Sequence, residues 1–518
     1  MANTTSGCRA AASSNTGAKA RHGPHQAAQK SMKSGLSPDS TASKLSLVSS
    51  MGVLVVSDMW APCPWVESPG RQRGKSGRPR STYGHRCHDV GLVAKALPHE
   101  AGRGPTRYTA AMSSVLLLTA LWLSAPASAS CTPARYGEDV RIHVLTTTQG
   151  GKIFNSQGHT AIWVSGGSLK EDMVYNWGAF DGRRDDLLPA FLSGRMEFWL
   201  AAEVYEVQWK RTVRTDRSLF AQRLELPPGA GKKIAKRLKR ASRPKNRDYV
   251  YHYANNNCAT KVRDVIDESI GGQLQEQLTE VVSWTGRFDG GRNLARWPIV
   301  WFAWDFMVSS YLDQPLTEWQ AAMVPQRVMH SLDKIEYTHG WPDGQPRKLV
   351  AETCILRDGG YSWSPDEPLP YWPLFLASLG LGGAAFGLGV RRGQQRTAGV
   401  VSGGILLAPI LLLAFLGTAT MGLWSMSELE GVGPSENWFT GNPLTWLLLG
   451  PIVQLIRGKP IGRSGRLIAY GLAGLGAVGL LLKPLPMFDQ VNLGQLSVWL
   501  PLLFAVAALA WRDQHGEV

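Results

Sequence analysis

The chain has 518 residues, more than one ordinary domain, and carries 55 Lys and Arg against 40 Asp and Glu, a formal charge of +15. Two or three units are expected from that length. The charge by itself invites nucleic acid, but residues 1–111 hold fifteen Lys and Arg against five Asp and Glu, so most of the excess sits in one stretch and a nucleic-acid partner is not expected.

That first stretch is rich in Ser, Gly, Pro and Ala and shows no sustained apolar periodicity, the composition of a disordered segment. From Met112 the sequence MSSVLLLTALWLSAPASAS places a short apolar run, Val115–Leu123, ahead of Ala127-Ser128-Ala129. This is the pattern of a secretory signal with an A-x-A cleavage site. Signals sit at N-termini, so translation is expected to begin at Met112. Residues 1–111 are then a disordered or misassigned leader and 112–130 the signal sequence; a cytoplasmic arm ahead of a signal anchor is the alternative.

Residues 131–357 are expected to form an exported domain of mixed α and β structure. Strand alternation runs through Val140–Thr146, His159–Val164, Met173–Trp177 and Leu219–Leu226, with a fifth short strand at Tyr249–Tyr253. Pro189–Ser193 reads as a short helix or turn, and Gly231–Ala241 as a basic helix. In YANNNCATKVRDVIDESIGG, Val262, Val265, Ile266 and Ile270 fall at helical spacing, Asn255–Asn257 supply the N-cap and Gly271-Gly272 the stop. Cys258 therefore opens a helix, where unpaired N–H groups and the dipole favour a thiolate.

Residues 358–370 form a Gly/Pro/Ser linker, and apolar segments follow at 371–390, 399–424, 443–456, 467–482 and 494–511. Together they read as an α-helical bundle of about five transmembrane spans over 371–511, with a cytoplasmic tail at 512–518. Arg391, Arg392 and Arg396 follow the first span, and Arg457, Lys459, Arg463 and Arg466 the third, whereas the loop with Glu428, Glu430 and Glu436 carries no Lys or Arg. The positive-inside rule puts the basic loops in the cytoplasm and the 131–370 segment outside, the orientation that the signal also gives. Ionisable groups deep in the spans are missing, which argues against transport and for an anchor or lipid-facing platform.

An export signal implies a disulfide-permissive compartment. Cys8, Cys63 and Cys87 lie in the leader; Cys131 and Cys354 bracket the exported domain and are placed to staple it, with a lipid-modified Cys131 as the alternative. Cys258 is then the odd, reactive thiol.

A cysteine nucleophile needs a base and a group to orient that base. Among His143, His159, His252, His330 and His339, His159 starts a strand directly after the tight turn of NSQGHTAIWV, held by a sheet yet facing a loop. His252 lies next to the helix start and is expected to point away; His143 is mid-strand and structural. Asn176, in YNWGAFD, is the candidate third group, with Asp181 the runner-up, and Asn257 is placed to donate to an oxyanion or to cap the helix. No second His/Cys cluster stands at zinc spacing, so neither metal nor cofactor is expected. Two further features suit a lipid surface. The Trp-dense segment Trp284–Trp319 fits a headgroup level or a Trp-rich core. The helix with Lys232, Lys233, Lys236, Arg237, Lys239 and Arg240 fits lipid phosphates or plain solvent.

The set GHTAIWV, VYNWGAFD and YHYANNNCATKVRDVID resembles the Lnb N-terminal periplasmic domain family of bacterial lipoprotein N-acyltransferases over roughly 140–340. The order of His strand, polar strand and Asn-Cys helix is also similar to circularly permuted papain-like folds, including the lecithin:retinol acyltransferase group. The resemblance implies an α+β papain-like exported domain on the periplasmic face of the bacterial inner membrane. It implies a thiol acyltransferase that moves an acyl chain from phospholipid to the N-terminal amine of diacylglyceryl-cysteine lipoproteins, with His159 and Cys258 as the catalytic pair. A membrane-tethered cysteine peptidase or amidase acting on cell-wall peptide is the main competing expectation, and a receptor-like binding module with a degenerate site the third.

Overall fold

The computed structural model describes residues 131–516; the leader and signal readings of residues 1–130 fall outside the described residues. The exported part is built on a seven-stranded sheet. Its strands are β1 (Arg141–Thr147), β2 (His159–Ser165), β3 (Met173–Ala179), β4 (Glu197–Val204), β5 (Leu219–Leu224), β6 (Asp248–Val250) and β7 (Val350–Arg357). Their order is β7-β5-β1-β2-β3-β4-β6, and every neighbouring pair is antiparallel.

The central strands are covered on both faces, as their dense apolar content requires. Ile142, Val144, Ile162, Val164, Tyr175 and Trp177 point to one face. Leu145, Ala161, Trp163 and Val174 alternate to the other, joined there by Leu219, Ala221 and Cys354. The sheet is bordered by α1 (Leu187–Leu192), α2 (Tyr205–Arg214), α3 (Ala230–Ala241) and α4 (Cys258–Ser269). On α4, Ala259, Val262, Val265 and Ile266 are buried against the first face of the sheet. Each Val or Ile buried this way stabilises by about 1.5–3 kcal/mol, so the helix start is fixed by packing as well as by its cap. Gly271 and Gly272, at φ +73° and +87°, end it.

Cys131 and Cys354 form a disulfide with Cα atoms 5.9 Å apart across a sequence separation of 223 residues. A link closing so long a loop restricts the unfolded chain by about 5.4 kcal/mol in the chain-entropy account. It clamps the first described residues to β7 and excludes the lipid-modified alternative for Cys131 in this structure.

Five helical segments are long and apolar enough to cross a membrane: Trp372–Val390, Arg396–Met426, Glu436–Ile456, Arg463–Leu482 and Leu493–His515. The third begins as 3-10 turns at Glu436–Phe439 and Pro443–Leu448 before turning α-helical at Leu449–Ile456. The acidic loop between the second and third spans touches the exported part directly. Arg195 pairs with Glu428 at 2.6 Å and His252 Nε2 lies 3.5 Å from Glu430. The acidic loop and the exported part thus share one side of the bundle, as the loop charges predict.

The two parts are joined by α5 (Gly286–Leu294) and α6 (Pro298–Met307). Phe306 of α6 is fully buried among bundle residues, Phe302 rests on Trp499 at 5.5 Å and Trp301 on Tyr371 at 4.8 Å. Arg287 of α5 bonds Asp305 at 2.9 Å and Asp313 at 2.6 Å, and all three side chains are almost wholly buried. Asn437 donates to the Phe306 carbonyl at 2.9 Å and Gln495 to that of Phe302 at 3.0 Å. The Trp-dense segment therefore divides. Its middle is a wedge seated in the bundle, while Trp284 lies under Arg327 at 3.8 Å and Trp319 under Arg263 at 3.7 Å.

The basic helix α3 takes the solvent-facing alternative. Ile234 and Leu238 anchor it to the core, Arg237 pairs with Glu268 and Lys232 with Asp139 at 3.5 Å. Glu268 is at the far end of α4, about 15 Å along the axis from Cys258 at the usual rise per residue. The Cys258 end is the one next to the bundle, since Tyr253 packs on Gly431 just ahead of it. This placement favours solvent over lipid phosphates around α3.

Candidate active site

Cys258 is the one free cysteine among the described residues and is partly accessible. The backbone N–H groups of Thr160, Ala259 and Cys258 itself stand near its sulfur, and all three favour the thiolate. Burial works against them and is the larger effect, so the thiol stands above its ordinary pKa of 9.0. A helix start alone was expected to lower it; the dense surroundings reverse the sign.

The Thr160 contact ties the thiol to the first residues of β2, and His159 is the neighbouring residue. Its Nε2 lies 2.9 Å from Asn176 Oδ1. The amide of Asn176 donates through Nδ2 to Glu203 Oε1 at 2.7 Å, which leaves only Oδ1 to face the ring. This network assigns the Nε2–H tautomer to His159, leaving the Nδ1 lone pair free. Glu203 is held in turn by Arg211 through bonds of 2.7 and 2.6 Å. Desolvation lowers the His159 pKa to about 4, only partly offset by the Asn176 bond and assisted by Arg217 and Arg211. At rest the pair is a neutral imidazole and a neutral thiol.

The ring rests on Gly178, where a Cβ would stand 3.9 Å from His159 Cε1. Gly178 has φ +105° at an irregularity in the β3–β4 pairing, a conformation that suits glycine. Of the other candidates, Asn257 is a helix cap: its Oδ1 accepts from Ala259 N at 2.8 Å and Thr260 N at 3.0 Å. Both of its amide protons go to carbonyls, of Tyr253 at 2.5 Å and Met323 at 3.0 Å, so the geometry favours the cap over a donor to an oxyanion. Asp181 is exposed and takes the N–H of Arg183, the chemistry of a turn. His252 Nδ1 accepts from the N–H groups of Ala254 and Asn255, both at 3.2 Å, and its ring serves the approach to α4. His143 is fully buried, stacked on Trp163 at 4.3 Å and lowered by desolvation to about 3.

Three residues of this site are absent from the sequence reading. Glu203 lies on β4, a strand whose run EFWLAAEV shows no clean alternation; a lone acid among apolar neighbours was the available signal. Arg211 follows eight residues later on α2. Arg217, 7% exposed, donates from Nε to the Thr148 carbonyl at 2.6 Å and, among the described residues, pairs with no carboxylate. Its charge favours the Cys258 thiolate and disfavours a protonated His159, while burial lowers its own pKa to about 10.

No curated protein and no solved structure matches the chain. Residues 136–289, which carry His159, Asn176, Glu203, Arg217 and Cys258, match the family described as the Lnb N-terminal periplasmic domain, the family that the sequence resembles.

Proposed function

We propose that the protein is a membrane-bound thiol acyltransferase of the bacterial inner membrane, with a circularly permuted papain-like domain on the periplasmic side. It moves an acyl chain from phospholipid to the N-terminal amine of diacylglyceryl-cysteine lipoproteins. The observation that carries the reading is a single one: a free, partly accessible thiol at a helix start, beside the first residues of the strand whose His159 Asn176 holds in the Nε2–H tautomer. The domain family and the position of this helix end beside the bundle add support.

With both partners neutral at rest, His159 acts as a general base during attack instead of forming a standing ion pair. Its Nδ1 takes the thiol proton as sulfur adds to the ester carbonyl of a phospholipid. The tetrahedral oxyanion is met by N–H groups of the helix start, in the field of Arg217. The carbonyl–oxygen bond then breaks, His159 returns the proton to the leaving alkoxide, and a lysophospholipid departs from the thioester. The neutral amine of the lipoprotein attacks the thioester, His159 accepts its proton, and the thiolate leaves and is reprotonated. Mass spectra of the N-terminal peptides of resident lipoproteins, in cells with and without this protein, test the reading. An added N-acyl group, or an acyl group moved to the amine, is expected only when the protein is present; identical spectra contradict it.

A further inference from the structure

Six residues of α1 expose three large apolar side chains: Leu188 at 46% and Phe191 and Leu192 at 36% each. So short a helix normally turns such groups into the core. Two observations say what it faces instead. First, α1 is seated against the outer end of the second span, Arg396–Met426. Glu428 N–H donates to the Ser193 carbonyl at 3.1 Å, and Gly194 packs so closely on Leu429 that a Cβ there would stand 3.0 Å from its side chain. An open groove of about 550 Å³ runs between Pro189, Ala190 and Arg195 on one side and Ser425 and Met426 on the other. Met426 is 65% exposed, and Trp424, half exposed, pairs with Trp438 at 5.4 Å, the residue type found where a span leaves the bilayer.

Second, aromatic packing continues inward from α1 toward the thiol. Phe191 meets Phe154 edge-on at 6.4 Å and Tyr251 at 6.4 Å. Phe154 belongs to the turn just before His159; Tyr251 and Tyr249 pack on the Phe198 cluster, and Tyr249, like Cys258, packs against the main core. Aromatic side chains thus line a route from the membrane surface to the candidate nucleophile.

We propose that α1 and its aromatic neighbours are the ledge by which one diacyl glycerophospholipid leaves the outer leaflet and brings an acyl ester to Cys258. This rests on the acyltransferase reading and supplies its donor side. Leu188, Phe191 and Leu192 hold the chain, and Arg184 and Arg195, which line the groove, face the phosphate level. Both guanidinium groups already hold carboxylates, Arg184 that of Asp186 at 2.8 Å and Arg195 that of Glu428 at 2.6 Å, so the phosphate contact is secondary to the chain contact.

The test uses the full chain reconstituted in phosphatidylcholine vesicles. Acylation of Cys258 is read by mass spectrometry with phospholipid and, separately, with the water-soluble ester p-nitrophenyl acetate. Leu188→Glu, Phe191→Glu and Leu192→Glu are each expected to lower the ratio of long-chain to short-chain acylation by about tenfold. An unchanged ratio overturns the ledge, including the case in which both reactions fall together. A phospholipid with a diazirine in its acyl chain provides the second arm, in wild type and in Cys258→Ala. Crosslinks are expected within 183–195; crosslinks confined to the membrane spans overturn the proposal. If wild type accepts neither ester, the thiol reading fails while the crosslinks still decide whether α1 holds lipid.

Discussion

Two buried polar clusters do opposite work in this molecule. At the junction with the bundle, Arg287 bonds Asp305 and Asp313 directly, with all three charges almost fully out of water. Beside Cys258, His159 hydrogen-bonds no charged group: its partner is the neutral amide of Asn176, and the Glu203–Arg211 ion pair stands one residue further back. Paired buried ions fix position because separating them leaves an uncompensated charge. A neutral relay fixes the orientation and tautomer of a ring without charging it. The junction holds the domain on the membrane; the relay keeps a base available.

The comparison breaks first at the thiol. Cys258→Ala, and Cys258→Ser almost equally, are expected to lower acyl transfer by about three orders of magnitude or more while leaving the protein folded, because Val262 and Ile266 still pack the helix. His159→Ala should approach the same loss, and the double variant should be no worse, since nucleophile and base act as a unit. The largest stability effect is expected at the other cluster. Arg287→Ala strands two buried carboxylates and should cost about 3–5 kcal/mol, read as a fall in the unfolding temperature of the purified protein in detergent. An unfolding temperature equal to wild type would show that the junction is not held by this ion cluster.

Smaller effects sharpen the contrast. Glu203→Leu removes the acceptor that dictates which way the Asn176 amide faces. Turnover should fall about tenfold with KM little changed and the pH profile displaced, whereas a purely structural Glu203 would alter stability and leave the profile in place. The resting protonation states give the mildest effect. Because the thiol is raised and no imidazolium stands beside it, alkylation of Cys258 by iodoacetamide should keep accelerating beyond pH 9.0, without a plateau at acidic pH. His159 and His143, neutral in the fold with pKa values of about 4 and about 3, contribute stability present above their ordinary value of 6.5 and lost progressively as pH falls below it. An acidic alkylation plateau would mean a standing thiolate–imidazolium pair. His252→Ala should change acylation far less than His159→Ala.

Much of the frame was legible in the chain because its periodic signals are strong. The Val262/Val265/Ile266 spacing and the asparagine cap located α4, and the five apolar runs located the spans within a few residues, except that the third begins seven residues earlier, at Glu436. Strands β4 and β7 were missed: EFWLAAEV and VAETCILR lie beside and at the edges of the sheet, half-exposed, and mix polar with apolar residues on each face, so alternation fades. With β4 went Glu203, and with it the reason Asn176 presents its oxygen to His159. The thiol's raised pKa was equally hidden, since a helix start predicts the opposite sign and only three-dimensional packing supplies the burial that wins. The basic run of α3 shows the same limit. Its charge is visible in sequence, but its place at the Glu268 end of α4 is a property of the fold.

The central claim is that Cys258 carries the acyl group. The most direct measurement incubates the full-length protein in vesicles with phospholipid alone, without any lipoprotein acceptor, and maps hydroxylamine-labile acyl groups by peptide mass spectrometry. The account predicts one such group, on Cys258, absent from Cys258→Ser and discharged when a peptide with a diacylglyceryl-cysteine N-terminus is added. An acyl label on any other residue, or acceptor acylation that persists in Cys258→Ala, would contradict it.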